Sequence, residues 1–129
     1  SIDLAHFIHS AGPNLTVLNG RGGLEMTDCL KVGASGFILA PDIIDHAQKV
    51  YRLWCAGEKQ AAIEAHAHAL PAITFVMQSI EHLTCYGKRL FGLRANFKIY
   101  DRGPCLQPTK IGVELTKNWA EWLGSFDLG

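Results

Sequence analysis

Residues 15–24 have the sequence LTVLNGRGGL, and this stretch decides the fold prediction. Its first four residues form a short apolar run between turn-forming residues, which is typical of a buried strand. A helical pattern begins at Leu24 and lasts until Gly33, where a glycine ends the predicted helix. The stretch therefore predicts a strand, a glycine-rich turn and a helix in direct succession.

The same order is repeated in the residues that follow. Residues 36–40, GFILA, form a second short apolar run between turn residues. A helix is predicted from Pro41 to Gly57, with Val50 and Trp54 on its inner side. Short buried strands that alternate with helices predict an α/β fold with a parallel sheet. Because two parallel strands alone are not stable, further strands are expected from a preceding segment or from another chain.

The rest of the chain is predicted to be helical. An alanine-rich helix covers residues 58–77, and another covers residues 83–91. Residues 94–108 contain two prolines and a glycine and are predicted to be irregular. Thr109 is expected to cap a last helix. The predicted apolar stripe of that helix consists of Ile111, Leu115, Trp119 and Trp122.

The composition limits the class of function. The 129 residues carry 12 basic and 12 acidic side chains, so the formal net charge is zero. Nucleic acid is therefore not an expected partner, because proteins that bind phosphate backbones carry a basic excess. No window reaches the roughly 18 uninterrupted apolar residues of a membrane helix, so no membrane association is expected. The chain opens on Ser1, directly in an apolar-periodic stretch, and we expect it to be a piece of a longer protein.

The four cysteines are predicted to be free thiols. Cys29, Cys55, Cys85 and Cys105 include no CxxC pair, so neither a zinc site nor a redox motif has local support. An apolar chain of this size does not need disulfides, and most of these cysteines fall in predicted helices. This pattern indicates the reducing conditions of the cytoplasm.

Several polar residues could carry chemistry. The glycine-rich turn at 20–23 follows a strand and opens a helix, so its backbone N–H groups could hold an anion; a tight turn without a ligand is the other reading. Asp42 follows the second strand, where a cap on the next helix is the favoured role. His6 and His9 lie one turn apart, and without a third ligand two surface histidines are favoured over a metal pair. Lys88 is expected to be solvated or in a salt bridge.

Five short motifs follow one another along nearly the whole chain. They are LNG at 18–20 with VGASGFI at 32–38, WCAG at 54–57, LP at 70–71, YGK at 86–88 and RGP at 102–104. In this order they resemble the last third of the dihydrodipicolinate synthase and N-acetylneuraminate lyase family. Each motif alone is weak, whereas five in register are fairly specific.

The resemblance implies an α/β fold, namely the C-terminal portion of a (β/α)₈ TIM barrel followed by a helical extension. Residues 1–57 would hold the last strands and helices of the barrel, with strand seven at 15–18 and strand eight at 36–39. Residues 58–129 would be the C-terminal helical extension of the same domain. Strands one to six would precede Ser1 and be absent from this sequence.

The resemblance also implies a lyase that acts on 2-keto acids such as pyruvate through a lysine Schiff base, without a metal or cofactor. The family's lysine lies at the end of strand six, so the catalytic lysine is expected upstream and no catalytic residue within this sequence. The implied substrate-binding residues are Asn19, Gly20, Arg21 and the backbone carbonyl of Ile38. All four follow the two predicted strands, and parallel strands end on the same side of a sheet.

The alternatives concern the reaction and the partner. Arg21 and the two glycines after it stand where the sugar-acid lyases tend to carry acidic residues, which favours a dihydrodipicolinate synthase-like aldolase or synthase with a second substrate that has a carboxylate or a bulky group. A 2-keto-3-deoxy sugar acid dehydratase or aldolase of the same family is the alternative. From another class, the chain would be a non-catalytic fragment or binding chain that a partner completes. The family resemblance implies a cytoplasmic homo-oligomer, commonly a tetramer.

Overall fold

The computed structural model describes residues 1–128. Its elements follow one another as listed here: α1 (Ile2–Ala11), β1 (Leu18–Asn19), α2 (Met26–Lys31), β2 (Gly36–Phe37), a 3-10 turn (Pro41–Ile43), α3 (Ile44–Cys55), α4 (Lys59–Val76), α5 (Ile80–His82), a π turn (Leu83–Gly87), α6 (Lys88–Arg94) and α7 (Lys110–Leu123). In this described part, no helix has the length and apolarity needed to cross a membrane.

The helices begin and end where local chemistry favours it. The hydroxyl of Thr109 accepts a hydrogen bond from the Gly112 N–H at 3.0 Å, which confirms the predicted cap of α7. Gly33 follows α2 and Gly57 follows α3, with φ of 101° and 85°. These positive φ values favour glycine, so both predicted helix ends are confirmed.

The two strands are parallel neighbours, as predicted. Leu18 pairs with Gly36 and Asn19 pairs with Phe37. Two backbone hydrogen bonds continue the ladder, from Ser35 N–H to Val17 C=O at 2.8 Å and from Ile38 N–H to Asn19 C=O at 2.9 Å. The carboxyl ends of both strands therefore lie at the same edge of this small sheet.

The prediction of a C-terminal portion of a (β/α)₈ barrel is wrong. The molecule is a small, mostly helical domain, 61% helical, with only two short parallel strands. The physical reason is that a strand depends on neighbours for its backbone hydrogen bonds. Each predicted strand has one neighbour only, so regular pairing is limited to two residues in each strand. Residues 15–17 and 38–39 of the predicted strands lie outside it, and β1 extends to Asn19 instead.

The core lies between the helices and joins the two halves of the chain. Val50 of α3, Ala62 and Ile73 of α4 and Leu90 of α6 are completely buried in one apolar cluster. Alanines at 62, 69 and 72 allow α3 to pack closely on α4. Each large apolar side chain buried in this way contributes about 1.5–3 kcal/mol. This helical core holds the β1–β2 sheet through α2 and α3, which follow its strands directly.

The cysteine prediction is also confirmed. Cys29 and Cys85 are buried, Cys105 is partly buried and Cys55 is exposed, and all four are free thiols. Burial raises the pKa of both Cys29 and Cys85 above the ordinary value of a thiol. Burial thus disfavours the reactive thiolate form of both residues.

Candidate functional site

Asn19 organises the turn after β1. It is 8% exposed, and its side-chain oxygen accepts a hydrogen bond from the Arg21 N–H at 3.0 Å. Its backbone carbonyl accepts the bond from Ile38 described above. A short amide side chain that bonds to the backbone two residues later is a typical turn-forming device. Asn19 thus fixes the position of the next residues relative to the end of β2.

The glycines of the turn differ in their surroundings. A Cβ atom on Gly22 would lie 2.3 Å from the Met77 sulfur, and one on Gly23 would lie 3.3 Å from Ile43. Both also have positive φ, so these two glycines let the turn pack against the end of α4. A Cβ on Gly20 would meet no heavy atom within 4 Å. Of the three glycines in the predicted tight turn, Gly22 and Gly23 are therefore required by the backbone and its packing, and open space lies beside Gly20.

Arg21 is paired with an acid that lies close by in the sequence. Its side chain is 64% exposed, and Nη1 lies 3.2 Å from the Glu25 carboxylate. The guanidinium is therefore held beside the start of α2 by an exposed ion pair, which contributes little stability.

The predicted binding residues are brought partly together. The backbone bond between Ile38 and Asn19 places the end of β2 next to the end of β1, with Gly20 immediately after it. Ile38 is 66% exposed. Asn19, Gly20 and Ile38 thus share one edge of the sheet, while the Arg21 side chain extends along the surface to Glu25. We name Asn19, Gly20, Arg21 and Ile38 the sheet edge.

Asp42 does not cap a helix, so the favoured prediction for it is wrong. Ala40 precedes the 3-10 turn and Ile43 precedes α3, and neither makes a side-chain cap bond. The Asp42 carboxylate is instead turned inward, with 3% exposure for the residue. Burial raises its pKa to about 6, although nearby backbone N–H groups and the Arg94 charge act in the opposite direction.

A buried ion pair between α3 and α6 lies next to Asp42. Arg94 Nη1 donates to the Asp45 carboxylate at 3.0 Å, and its Nη2 donates to the other carboxylate oxygen. Arg94 also donates to the backbone carbonyls of Asp42 and Gly124, each at 2.8 Å. Burial alone would raise the pKa of Asp45, but the hydrogen bond and charge of Arg94 outweigh it and lower that pKa.

This pair was not foreseen from the sequence. Arg94 stands at a helix end, where basic residues are normally solvated. The two aspartates that it binds, Asp45 and Asp42, are 49 and 52 positions away in the sequence. The one local signal is that Asp45 lies among the buried positions of α3, which include Ala47 and Val50. A carboxylate at an inward position of an amphipathic helix needs a cation, and the sequence does not show which one.

The remaining candidates are exposed at the surface or take part in an ion pair. His6 and His9 are exposed, as favoured. Lys88 Nζ lies 3.1 Å from the Asp101 carboxylate and donates to the Tyr100 carbonyl, which confirms the expected salt bridge. Within residues 1–128, no three His, Cys, Asp or Glu side chains are grouped in a way that could hold a metal ion.

The sequence matches no protein-family model, no curated protein and no solved structure. The grounds for a functional proposal are therefore the motif resemblance and the geometry of the sheet edge.

Proposed function

We propose that this chain is part of a lyase that acts on 2-keto acids through a lysine Schiff base, with dihydrodipicolinate synthase-like aldolase or synthase chemistry. The observation that carries the proposal is the parallel pairing of β1 with β2. This pairing sets the open backbone of Gly20 beside the exposed end of β2 at Ile38. Those are the positions that the motif resemblance assigns to the substrate.

The reaction itself requires a lysine amine. The amine adds to the keto carbon, water is lost and a protonated imine forms. This imine withdraws electrons from the neighbouring carbon, so a C–C bond or a β-hydroxyl next to it can be made or broken. The resemblance puts the lysine before Ser1, so none of the lysines in this sequence is given that role. We further propose that the enzyme is a cytoplasmic homotetramer, as the resemblance implies.

The residues of the sheet edge would bind and orient the substrate. A ligand can approach the Gly20 backbone closely because no side chain or neighbouring atom fills the space. The Ile38 carbonyl would face the keto acid. The Arg21 guanidinium would leave Glu25 to bind the carboxylate of the second substrate. This change costs little, because an exposed ion pair of this kind is worth about 0–1 kcal/mol.

Trapping of the imine tests the proposal. The full-length protein is incubated with pyruvate, reduced with borohydride and digested, and the modified peptide is identified by mass spectrometry. We expect one adduct, on a lysine outside the 129 residues. An adduct on Lys88 or another lysine of this chain would contradict the assignment, and the absence of any adduct with a panel of 2-keto acids would refute the lyase. A product assay with 2-keto-3-deoxy sugar acids separates dehydration from aldol chemistry.

A second candidate function is a binding chain that a partner completes, without catalysis. The observation that favours it is the exposed apolar surface of the small sheet, where Leu18 is 47% exposed and Ile38 more so. Sheets normally cover such residues with further strands or helices. An intact mass of the natural protein near 14.1 kDa, together with a stable complex with another chain, would favour this candidate over the lyase.

A further inference from the structure

A cavity of about 540 Å³ lies between the end of β2 and the α5–α6 region. Three segments of chain form it. The first is the 3-10 turn with Asp42, the second is the helical stretch from Leu83 to Phe91, and the third is the loop that contains Arg102 and Pro104. The volume is sufficient for a small organic molecule. None of the sequence motifs described above assigns a role to this cavity.

The cavity lining includes the Asp42 carboxylate, which has no ion-pair partner in the described part of the chain. The Asp42 carboxylate packs on the backbone of Gly87, where an added Cβ would lie 3.4 Å from Oδ2. Arg94 donates to the Asp42 backbone carbonyl, but its side chain forms its ion pair with Asp45. Within residues 1–128, Asp42 takes part in no ion pair.

The cavity lining also includes a cation without an ion-pair partner in residues 1–128. Arg102 lines the cavity and is exposed, and among the described residues no carboxylate lies within ion-pair distance of it. The other cation in the lining, Lys88, is already bound to Asp101 and to the Tyr100 carbonyl. The lining therefore includes one carboxylate and one guanidinium that have no ion-pair partner among the described residues.

The surface between these two charges is largely apolar. Leu83, Phe91 and Pro104 line it, and Thr84 is the one uncharged hydroxyl among the lining side chains. An apolar cavity with a small number of charged groups selects a ligand by the positions of its own charges, while the apolar part supplies affinity.

We propose that this cavity binds a free amino acid with an apolar side chain, whose ammonium pairs with Asp42 and whose carboxylate pairs with Arg102. The apolar side chain of the ligand packs on Phe91 and Leu83. Ligands that carry a single charge leave one of the two protein charges without a partner, so they bind more weakly. The proposal does not depend on the lyase activity, because it uses none of the sheet-edge residues.

The pH dependence of binding follows from the charges around Asp42. The other titratable side chains of the cavity lining are Lys88, Arg102 and Cys105, and the charge of Arg94 from α6 acts directly on the Asp42 carboxylate. Because the pKa of Asp42 is raised to about 6, the carboxylate is ionised at pH 7.5 and largely protonated at pH 5. Binding of an ammonium group is therefore expected to weaken as the pH falls through this range.

Calorimetry with three probes that share one aromatic body tests the proposal. L-phenylalanine carries both charges, phenethylamine lacks the carboxylate and 3-phenylpropionate lacks the ammonium. With the full-length protein at pH 7.5, we expect L-phenylalanine to bind about tenfold more tightly than either of the others. No binding of L-phenylalanine, or equal affinity for phenethylamine, would overturn the proposal.

Two variants identify the residues that bind each charge. Arg102→Gln changes an exposed residue and should weaken L-phenylalanine about tenfold while leaving phenethylamine unchanged. Asp42→Asn should remove the preference for L-phenylalanine over 3-phenylpropionate. It should also remove the loss of affinity for L-phenylalanine between pH 7.5 and pH 5. Arg52→Gln replaces an exposed arginine outside the cavity lining and is the matched control. Equal effects of Arg52→Gln and Arg102→Gln would contradict the assignment.

Discussion

The helices between residues 59 and 123 and the two strands near residues 18 and 36 differ in how they are stabilised. In α4 and α6, Ile73 and Leu90 are completely buried. At the sheet, Leu18 of β1 is 47% exposed, and Ile38, directly after β2, is 66% exposed. A helix satisfies its backbone hydrogen bonds internally, whereas a strand needs neighbours on both sides. The helical core therefore supplies most of the stability, and the sheet edge is the part of the molecule that is still open to a ligand or partner.

The largest expected effect is in the helical region, at the buried ion pair. Arg94→Met leaves the Asp45 carboxylate buried without its cation. The free energy of unfolding, measured in urea, should fall by about 3–5 kcal/mol. Arg52→Met, at an exposed arginine of α3, should change it by about 0.5 kcal/mol or less. Equal losses for both variants would show that the buried pair does not stabilise the core. The double variant Arg94→Met with Asp45→Leu should recover part of the loss, because the Asp45 carboxylate is then no longer buried without its cation.

The second prediction compares the two regions directly. Ile73→Ala creates a cavity in the fully buried face of α4 and should lower the free energy of unfolding by about 2–5 kcal/mol. Leu18→Ala removes a half-exposed side chain from β1 and should cost about 0.5 kcal/mol or less. Chemical denaturation of both variants checks the difference. A loss at Leu18 as large as that at Ile73 would mean that the sheet is covered in solution.

The third prediction concerns the pH dependence contributed by Asp42, which lies between the two regions. Its pKa in the folded protein is about 6, against 3.8 for the ordinary group, so the folded protein binds more protons between pH 4 and pH 6. The stability of the folded protein therefore falls as the pH rises through this window.

Asp42→Asn removes this contribution. Relative to the wild type, the variant should gain about 2 kcal/mol of stability between pH 4 and pH 7, because most of the two-unit pKa difference takes effect in this range and each unit corresponds to about 1.4 kcal/mol. Unfolding curves at four pH values measure the difference, with Asp3→Asn in the exposed face of α1 as control. A pH-independent difference would mean that Asp42 titrates normally in the fold.

The smallest expected effect on stability is at the sheet edge. Arg21→Ala removes an exposed ion pair and should change the free energy of unfolding by less than about 0.5 kcal/mol. In an assay of the proposed lyase activity, KM for the second substrate should rise while imine trapping with the first keto acid is unchanged. Unchanged kinetics for every tested substrate would remove Arg21 from the site. Loss of imine trapping would show that its role is not confined to the second substrate.

Local chemistry in the sequence was sufficient to predict the helices and the parallel strand pair. Thr109, Gly33 and Gly57 are signals that act within a few residues, and the structure follows each of them. The extent of the sheet could not be predicted in this way, because it depends on strands that are not local to the apolar runs. The prediction of a barrel portion was wrong for this reason.

The inward face of α7 shows the same limit. The predicted stripe includes Ile111 and Trp122, yet both are more than half exposed, while Gly112 and Thr116 are buried. The reason is the Tyr86 ring, which lies so close to Gly112 that a Cβ there would be 2.4 Å from the hydroxyl oxygen. Close approach at a glycine turns the small residues inward, and hydrophobic periodicity alone does not reveal it.

The candidate site was predictable only in part. The spacing of the apolar runs was enough to bring Asn19, Gly20 and Ile38 to one edge, because parallel strands end on the same side. The inward turn of Asp42 depends on the close approach of Gly87, which is 45 residues later in the sequence.

Amide hydrogen exchange of the full-length protein with and without pyruvate tests the proposed binding surface most directly. Exchange reports local opening, so a ligand at the sheet edge should slow it at the amides that the ligand covers or orders. We predict slower exchange at residues 19–21 and 36–39 on addition of pyruvate, with no change in α4. Unchanged exchange at both segments at saturating pyruvate, or protection confined to α4, would contradict the assignment of the sheet edge as the keto-acid site.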